Sequence, residues 1–165
     1  MTSVIITESY FGNTTAIADE IAAGLTDAGA DTAVTTAENA LNEQATEGAD
    51  LVILAAPTHN MGLPSPATRR QASDKGAENS PATGIREWID NLSRSAAGPG
   101  TRIIAVATTT GGFMAGSASK AVVKALKKKG VTATRGEDFT VAGVPGPLAD
   151  GEKERARAWA QTLVS

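Results

Sequence analysis

The residues with the most chemical promise lie in one short segment, Thr7-Glu8-Ser9-Tyr10-Phe11-Gly12-Asn13-Thr14-Thr15. It is rich in hydroxyls, carries a single glycine where the backbone must turn, and opens directly into a helical pattern. A helix N-terminus presents free N–H groups and the positive end of the helix dipole, both of which favour an anion. The segment holds no Lys or Arg. A phosphate bound here would be held by main-chain N–H groups and by the side chains of Ser9, Asn13, Thr14 and Thr15. The same residues also suit a plain helix cap with spare hydroxyls.

Other chemistry is scarce. The segment is not Gly-x-Gly-x-x-Gly, which disfavours a Rossmann dinucleotide site, and it lacks the Gly-Lys-Ser/Thr of nucleoside triphosphatases. His59 is the single histidine and there is no cysteine, so disulfides, thiolate metal sites, a cysteine nucleophile and a multi-histidine metal centre are all excluded; no metal is expected. His59 is the one side chain with an ordinary pKa near neutrality. Glu8 has no partner carboxylate or histidine fixed beside it by sequence, so a solvent-exposed or capping role is expected for it. No Gly-x-Ser-x-Gly elbow exists for a serine hydrolase.

The elements that must position these residues follow from short apolar runs. Val4-Ile5-Ile6, Leu51-Val52-Ile53-Leu54 and Ile103-Ile104-Ala105-Val106 are continuous, as strands buried on both faces of a parallel sheet are. Between them lie helical spacings: Ile17, Ile21 and Leu25 before Gly29; Ile85, Trp88, Ile89 and Leu92; Val122 and Leu126 before Lys127, Lys128, Lys129 and Gly130. A last helix with Ala156, Trp159, Ala160 and Leu163 inward would be capped by Asp150, with Glu152 and Glu154 in its first turn. Five strands are expected, near residues 3–7, 32–36, 50–56, 102–108 and 131–142. The second has the weak composition of an edge, and the fifth is interrupted by Arg135-Gly136-Glu137-Asp138. This alternation predicts a doubly wound α/β fold, one domain over 1–165. Residues 61–83 show little apolar periodicity and several prolines, so a long irregular loop is expected there, with Arg69, Arg70, Asp74, Lys75 and Glu78 solvated.

Composition narrows the class. The 165 residues carry a formal net charge of −3, which argues against a nucleic-acid partner, because phosphate backbones demand a basic surface. No apolar run approaches the ~18 residues that would cross a bilayer, so no membrane insertion is expected. Met1-Thr2-Ser3-Val4 lacks the basic and apolar regions of a signal peptide, and a cytoplasmic location is expected.

Three loops together carry a resemblance. Ser9-Tyr10-Phe11-Gly12-Asn13-Thr14 resembles the phosphate loop of the flavodoxin family, a Ser-x-x-Gly-Asn-Thr segment that cradles the phosphate of FMN. Ala56-Pro57-Thr58-His59-Asn60 follows the third strand, where flavodoxin-like proteins place the residue that faces the flavin ring. Thr108-Thr109-Thr110-Gly111-Gly112-Phe113 follows the fourth, where the family's third flavin loop begins. Gly146-Pro147-Leu148 is similar to the tail of small actinobacterial-type flavodoxin-domain proteins. The resemblance implies a five-stranded parallel sheet of order 2-1-3-4-5 with helices on both faces, and FMN at the switch point between strands one and three. It implies that Ser9 to Thr15 take the phosphate. Pro57, Thr58 and Asn60 then meet the ribityl chain and ring edge with Thr108 to Gly112, and His59 and Phe113 lie against the isoalloxazine.

The implied function is flavin redox chemistry: an electron carrier with a partner protein, or an NAD(P)H-dependent FMN or quinone oxidoreductase. Two departures from the family bear on that choice. Typical flavodoxins sandwich the ring between a Trp in the second loop and a Tyr in the third, whereas here His59 stands in the first place and no Tyr is near the second. Aromatic stacking is worth about 0.5–1.5 kcal/mol beyond area burial. The strongly acidic field of the family is also missing at a net charge of −3. Both favour a two-electron reductase or a weak flavin binder over a low-potential shuttle. The alternative is an interaction or regulatory module on the same fold with weak or no FMN binding. A response-regulator receiver is excluded, because the third strand ends in Ala55-Ala56-Pro57 with no Asp to phosphorylate.

Overall fold

A computed structural model describes residues 1–42, 44–92, 98, 100–112 and 114–164. The elements run β1 (Thr2–Thr7), α1 (Asn13–Asp27), β2 (Asp31–Thr36), α2 (Ala37–Asn42), β3 (Leu51–Pro57), α3 (Pro66–Asp74), α4 (Ile85–Asn91), β4 (Arg102–Thr109), α5 (Ala118–Lys128), β5 (Thr134–Thr140) and α6 (Glu152–Gln161). The strands form one sheet of order β2-β1-β3-β4-β5, every pair parallel. This is the order the loop resemblance implies, with the weak second strand at an edge.

Alternation along the strands builds two cores. Leu51, Ile53 and Ala55 of β3 join Ile17, Ile21 and Leu25 of α1 and Ala156 and Ala160 of α6 on one face. Val52, Leu54 and Ala56 join α2, α4 and α5 on the other, through Ala40, Ile85, Trp88, Ile89, Val122 and Leu126. α1 closes as its sequence predicts, with Gly29 N–H donating to Thr26 O at 2.9 Å and Ala30 N–H to Leu25 O at 3.0 Å. Trp88 is buried in the core as expected. Trp159 is only partly buried and meets Phe139 edge-on, ring centroids 6.4 Å apart.

Three expectations need correction. Residues 61–83 are not one irregular loop, since α3 forms within them. Its apolar periodicity is faint because its inward face is Thr68, Arg69 and Ala72, and the first two meet polar groups. Its start is marked instead by Ser65, whose Oγ accepts from Thr68 N–H, and by Pro66 in the first turn. The short α2 carries too little pattern to be read. β5 is shorter than expected; its strand is continuous from Thr134 to Thr140, but the interruption expected at Arg135-Gly136-Glu137-Asp138 is present as a register shift, since Ala105 pairs with Arg135 and Ala107 with Asp138. As an edge strand it buries only Phe139 fully, and its charges pair sideways, Arg135 with Asp138 and Glu137 with Arg155 of α6. Asp150 does not cap α6; that place is Gly151, without a side-chain bond, and Glu152 instead accepts from Thr140 N–H at 2.6 Å.

Candidate functional site

The carboxyl ends of β1, β3, β4 and β5 open into a crevice of about 320 Å³. The parallel strands aim their following loops at the same edge of the sheet, and the helices go to opposite faces on either side of β1 and β3, leaving a gap there.

The first wall is the β1–α1 loop. Ser9, Tyr10, Phe11, Asn13 and Thr14 line the crevice. Gly12 has φ +84°, which lets the chain reverse into α1 without a Cβ in the left-handed region, and as the N-cap residue it has no side chain to cap the helix. Ser9 Oγ accepts from Thr15 N–H at 3.4 Å, which leaves the Ser9 proton to donate outward. Two expected phosphate donors already have protein partners. Asn13 Nδ2 donates to Pro145 O at 2.7 Å, and Thr14 Oγ1 shares a buried hydrogen bond of 2.8 Å with Thr108 Oγ1.

The second wall follows β3. Pro57, Thr58, His59 and Asn60 all line the crevice. Thr58 Oγ1 accepts from Ala118 N–H at 3.1 Å, so this hydroxyl serves the start of α5. His59 and Gly62 exchange both main-chain hydrogen bonds at 2.9 Å around a tight turn whose central residues, Asn60 and Met61, both have positive φ. The His59 ring stands against Tyr10, centroids 4.9 Å apart, and its Nδ1 shares a 3.1 Å hydrogen bond with Thr68 Oγ1. Burial, with the charges of Arg69 and Lys75, lowers its pKa to about 4. This corrects the view of His59 as a charge switch near neutrality: at pH 7 it is a neutral polar edge.

Thr108, Thr109 and Thr110 line the third wall. Gly12, Thr15, Gly111 and Gly112 are outside the lining; the three glycines, all of positive φ, shape the turns, and Thr15 lies in α1. Phe113 lies outside the described residues. Sequence reasoning missed the α3 contribution (Thr68, Gln71, Ala72 and Lys75) and the segment after β5 (Val141, Gly143, Val144 and Pro145). The rule that ligands gather at strand carboxyl ends would have found the second. Nothing in the polar α3 sequence announced the first. Lys75 is the one charged side chain among the described lining residues.

Beneath the first loop lies a buried polar lock: Arg69 is not solvated as expected, and of the two roles expected of Glu8, solvent-exposed or capping, only the second fits, since it is buried and takes the first N–H of α4. Glu8 is 2% exposed and Arg69 4%. The Glu8 carboxylate accepts from Tyr10 OH, from Arg69 Nε at 3.2 Å and from Ile85 N–H at 2.9 Å. Arg69 also donates to Tyr10 OH at 3.0 Å, to Ala82 O at 3.2 Å, and to both oxygens of Glu87. Burial, and then Glu8 beside it, push the Tyr10 phenol far above its usual range, so it remains a hydrogen-bond donor. One arginine thereby ties the first loop to α3 and α4. The polar partners it finds explain why a charged residue can be buried at all.

No family model matches the chain, and no curated protein does. Solved structures do. A flavodoxin from the domain Archaea is 14% identical, with a TM-score of 0.64 over 99% of this chain and 96% of that one. Oxidised flavodoxin 1 from Bacillus cereus is 18% identical, with a TM-score of 0.58 over 99% and 95%. Rubredoxin oxygen:oxidoreductase from Desulfovibrio gigas is 16% identical with a TM-score of 0.62, and this chain spans 35% of its length. The chain has the flavodoxin-like fold. Among the described residues no helix is long and apolar enough to cross a membrane, and no cluster of His, Cys, Asp or Glu could hold a metal ion.

Proposed function

We propose that the crevice binds FMN and that the protein is a cytoplasmic flavin redox protein, working in electron transfer or flavin-dependent reduction. The observation that carries this reading is the N-terminus of α1, which its N-cap residue, Gly12, leaves without a side-chain cap and opens by a left-handed turn into a crevice at the β1–β3 switch point. A monoester dianion would meet the N–H groups of this first turn beside the Ser9 hydroxyl, which already takes the Thr15 N–H. The crevice supplies polar groups for the rest of a mononucleotide: Ser9 donates to the phosphate, and Thr58, Asn60, Thr108, Thr109 and Thr110 edge the chain and ring. With Asn13 and Thr14 bonded to Pro145 and Thr108, phosphate ligation falls to main-chain N–H groups and Ser9.

When bound, FMN supplies the one- or two-electron chemistry. The chain orients it. His59, held by Tyr10 and Thr68, offers a neutral edge and places no positive charge at the ring. Tyr10 is itself held by Glu8 and Arg69, so the ring support is rigid.

Titration of the purified chain with FMN tests the reading. Saturable quenching of flavin fluorescence, with a shifted visible spectrum, is the expected result; unchanged fluorescence at hundredfold excess protein overturns it. Rapid bleaching of the bound flavin by NADPH alone marks a reductase, and its absence a carrier. The packing of His59 against Tyr10, away from a free stacking role, favours a second reading: an interaction or regulatory module on this fold with weak FMN binding.

A further inference from the structure

The single histidine of the chain is held on three sides. Its main chain exchanges two hydrogen bonds with Gly62, its ring stands against Tyr10, and its Nδ1 lies 3.1 Å from Thr68 Oγ1. The other ring nitrogen, Nε2, bonds to no protein group among the described residues and is not sealed from solvent. His59 lines the crevice, so a molecule bound there can reach Nε2. What Nε2 offers depends on where the neutral imidazole carries its one proton. A ring protonated on Nδ1 presents a lone pair at Nε2; a ring protonated on Nε2 presents a donor.

Thr68 decides between the two. Its hydroxyl has one proton to give and two lone pairs to fill, and the residue is only 9% exposed. Ser65 N–H donates to Oγ1 at 2.9 Å and takes the first lone pair. The Oγ1 proton goes to Ser65 O at 3.2 Å, a back-bond across one turn that threonine often makes in helices. The second lone pair then needs a donor, and Nδ1–H of His59 supplies it. All three positions of a buried hydroxyl are satisfied in this way. The Ser65 hydroxyl is the weaker rival, at 3.4 Å. Burial, with the cations Arg69 and Lys75 facing the ring, keeps the imidazole neutral at pH 7, so its one proton has to be on one nitrogen or the other.

We propose that Thr68 is a positioning residue that fixes His59 as the Nδ1–H tautomer, and that the Nε2 lone pair accepts a hydrogen bond from the ring N–H that a flavin gains on reduction. This rests on the FMN reading above. An oxidised flavin carries a lone pair where the reduced form carries that N–H. An acceptor at this point repels the first and holds the second, so the site favours reduced flavin.

Because the chain has one histidine, its imidazole nitrogens give a single, unambiguous pair of NMR signals. In the FMN-free chain at pH 7 a protonated Nδ1 and a bare Nε2 are expected; the reverse overturns the proposal. Thr68→Val removes the hydroxyl at nearly constant volume and is expected to mix the two forms, and Thr68→Ser to restore the first. The midpoint potential of bound FMN is the second readout. Thr68→Val is expected to lower the ratio of reduced to oxidised affinity about tenfold, as loss of a well-made hydrogen bond does. That is a fall of about 30 mV for a two-electron couple, and Thr68→Ser should stay near the unaltered chain. An unchanged potential overturns the proposal. So do equal losses of affinity for both redox forms, which would put Nε2 on the ring N–H that the two forms share. His59→Phe keeps a ring beside Tyr10 but has no acceptor, and is expected to show the same fall even if Thr68→Val does not fold. A chain that takes up no FMN sinks the flavin reading, and the nitrogen signals of the FMN-free chain still decide the role of Thr68.

Discussion

Arg69 of α3 grips Glu87 of α4 through two N–H···O contacts of 2.9 and 2.6 Å, while its Nε reaches Glu8 at the end of β1. Three separate chain segments are thus joined by one guanidinium whose side chain is 5% exposed. Replacing it with methionine leaves the Glu8 carboxylate buried without its counter-charge. Breaking such a pair typically costs about 3–5 kcal/mol. Urea unfolding of Arg69→Met should show a loss of that order, and Glu8→Gln in the same chain should recover part of it. If the two losses simply add, the residues are not coupled as described.

Gly84 bears on the same lock from the other side. A Cβ at this position would sit 2.2 to 2.3 Å from the Glu8 carboxyl atoms. A flexible side chain would swing away, but Glu8 is held by Tyr10, Arg69 and the Ile85 N–H. Gly84→Ala should therefore cost about 1–3 kcal/mol, in the range of an overpacked core. The same measurement on Glu8→Gln/Gly84→Ala tests the cause. A clash is indifferent to charge, so both backgrounds should show the loss.

The sheet was legible because its strands are nearly pure apolar runs: β1, β3 and β4 are buried on both faces, and burial on both faces leaves no alternation to misread. The turn before α1 was legible for a different reason, since its hydroxyls and single glycine sit where a helix begins. What stayed hidden was polar burial. Glu8, Arg69 and Glu87 are spread over 80 residues, and a charged side chain in a proline-bounded segment reads as solvated until its partners are in place. Val141 to Pro145 carries no chemical signal, being without polar or aromatic side chains, and only its place at the carboxyl end of β5 could have announced it.

The lowered pKa of His59 makes stability depend on pH. Burial, then Arg69 and Lys75, bring it to about 4, against about 6.5 when unfolded. Between those values the unfolded chain binds a proton that the folded chain does not, so stability rises with pH through this window. Acidification from pH 7 to 4.5 should lower the urea midpoint, by an amount equivalent to about 2 kcal/mol after allowing for the partial exposure of the ring. His59→Asn should flatten that slope. Glu87 acts further down: burial raises its carboxyl, but hydrogen bonds from Arg69 and the Gly84 N–H outweigh that and hold it below the ordinary range. Its contribution is lost only as pH falls through that lowered value, in both chains.

Ser9 separates the phosphate from the ring. Its lone pair takes the Thr15 N–H, which leaves its proton free to donate to a ligand in the crevice that Ser9 lines. Ser9→Ala should weaken FMN by about tenfold, the usual cost of a hydrogen bond to a charged group. Riboflavin, which has the ring but no phosphate, should bind both chains equally. A matched loss for riboflavin would place Ser9 beside the ring and move the phosphate elsewhere.

The turn at the crevice mouth is built against local preference. Asn60 and Met61 have φ of 45° and 67° between the paired His59 and Gly62, the arrangement of a two-residue turn that wants Asn-Gly. Asn tolerates the left-handed region; a Met there costs roughly 1–2 kcal/mol relative to glycine. Met61 is 61% exposed, so no core packing offsets that cost. Met61→Gly should therefore raise the unfolding free energy by about 1 kcal/mol, the steric gain less the extra entropy of an unfolded glycine. Because the Met61 side chain lines the crevice, the same variant should weaken bound FMN or its acceptor. A chain that is both more stable and an equal binder would show that the methionine has no part in the site. A more stable but weaker binder would show strain kept in the turn for the sake of the ligand.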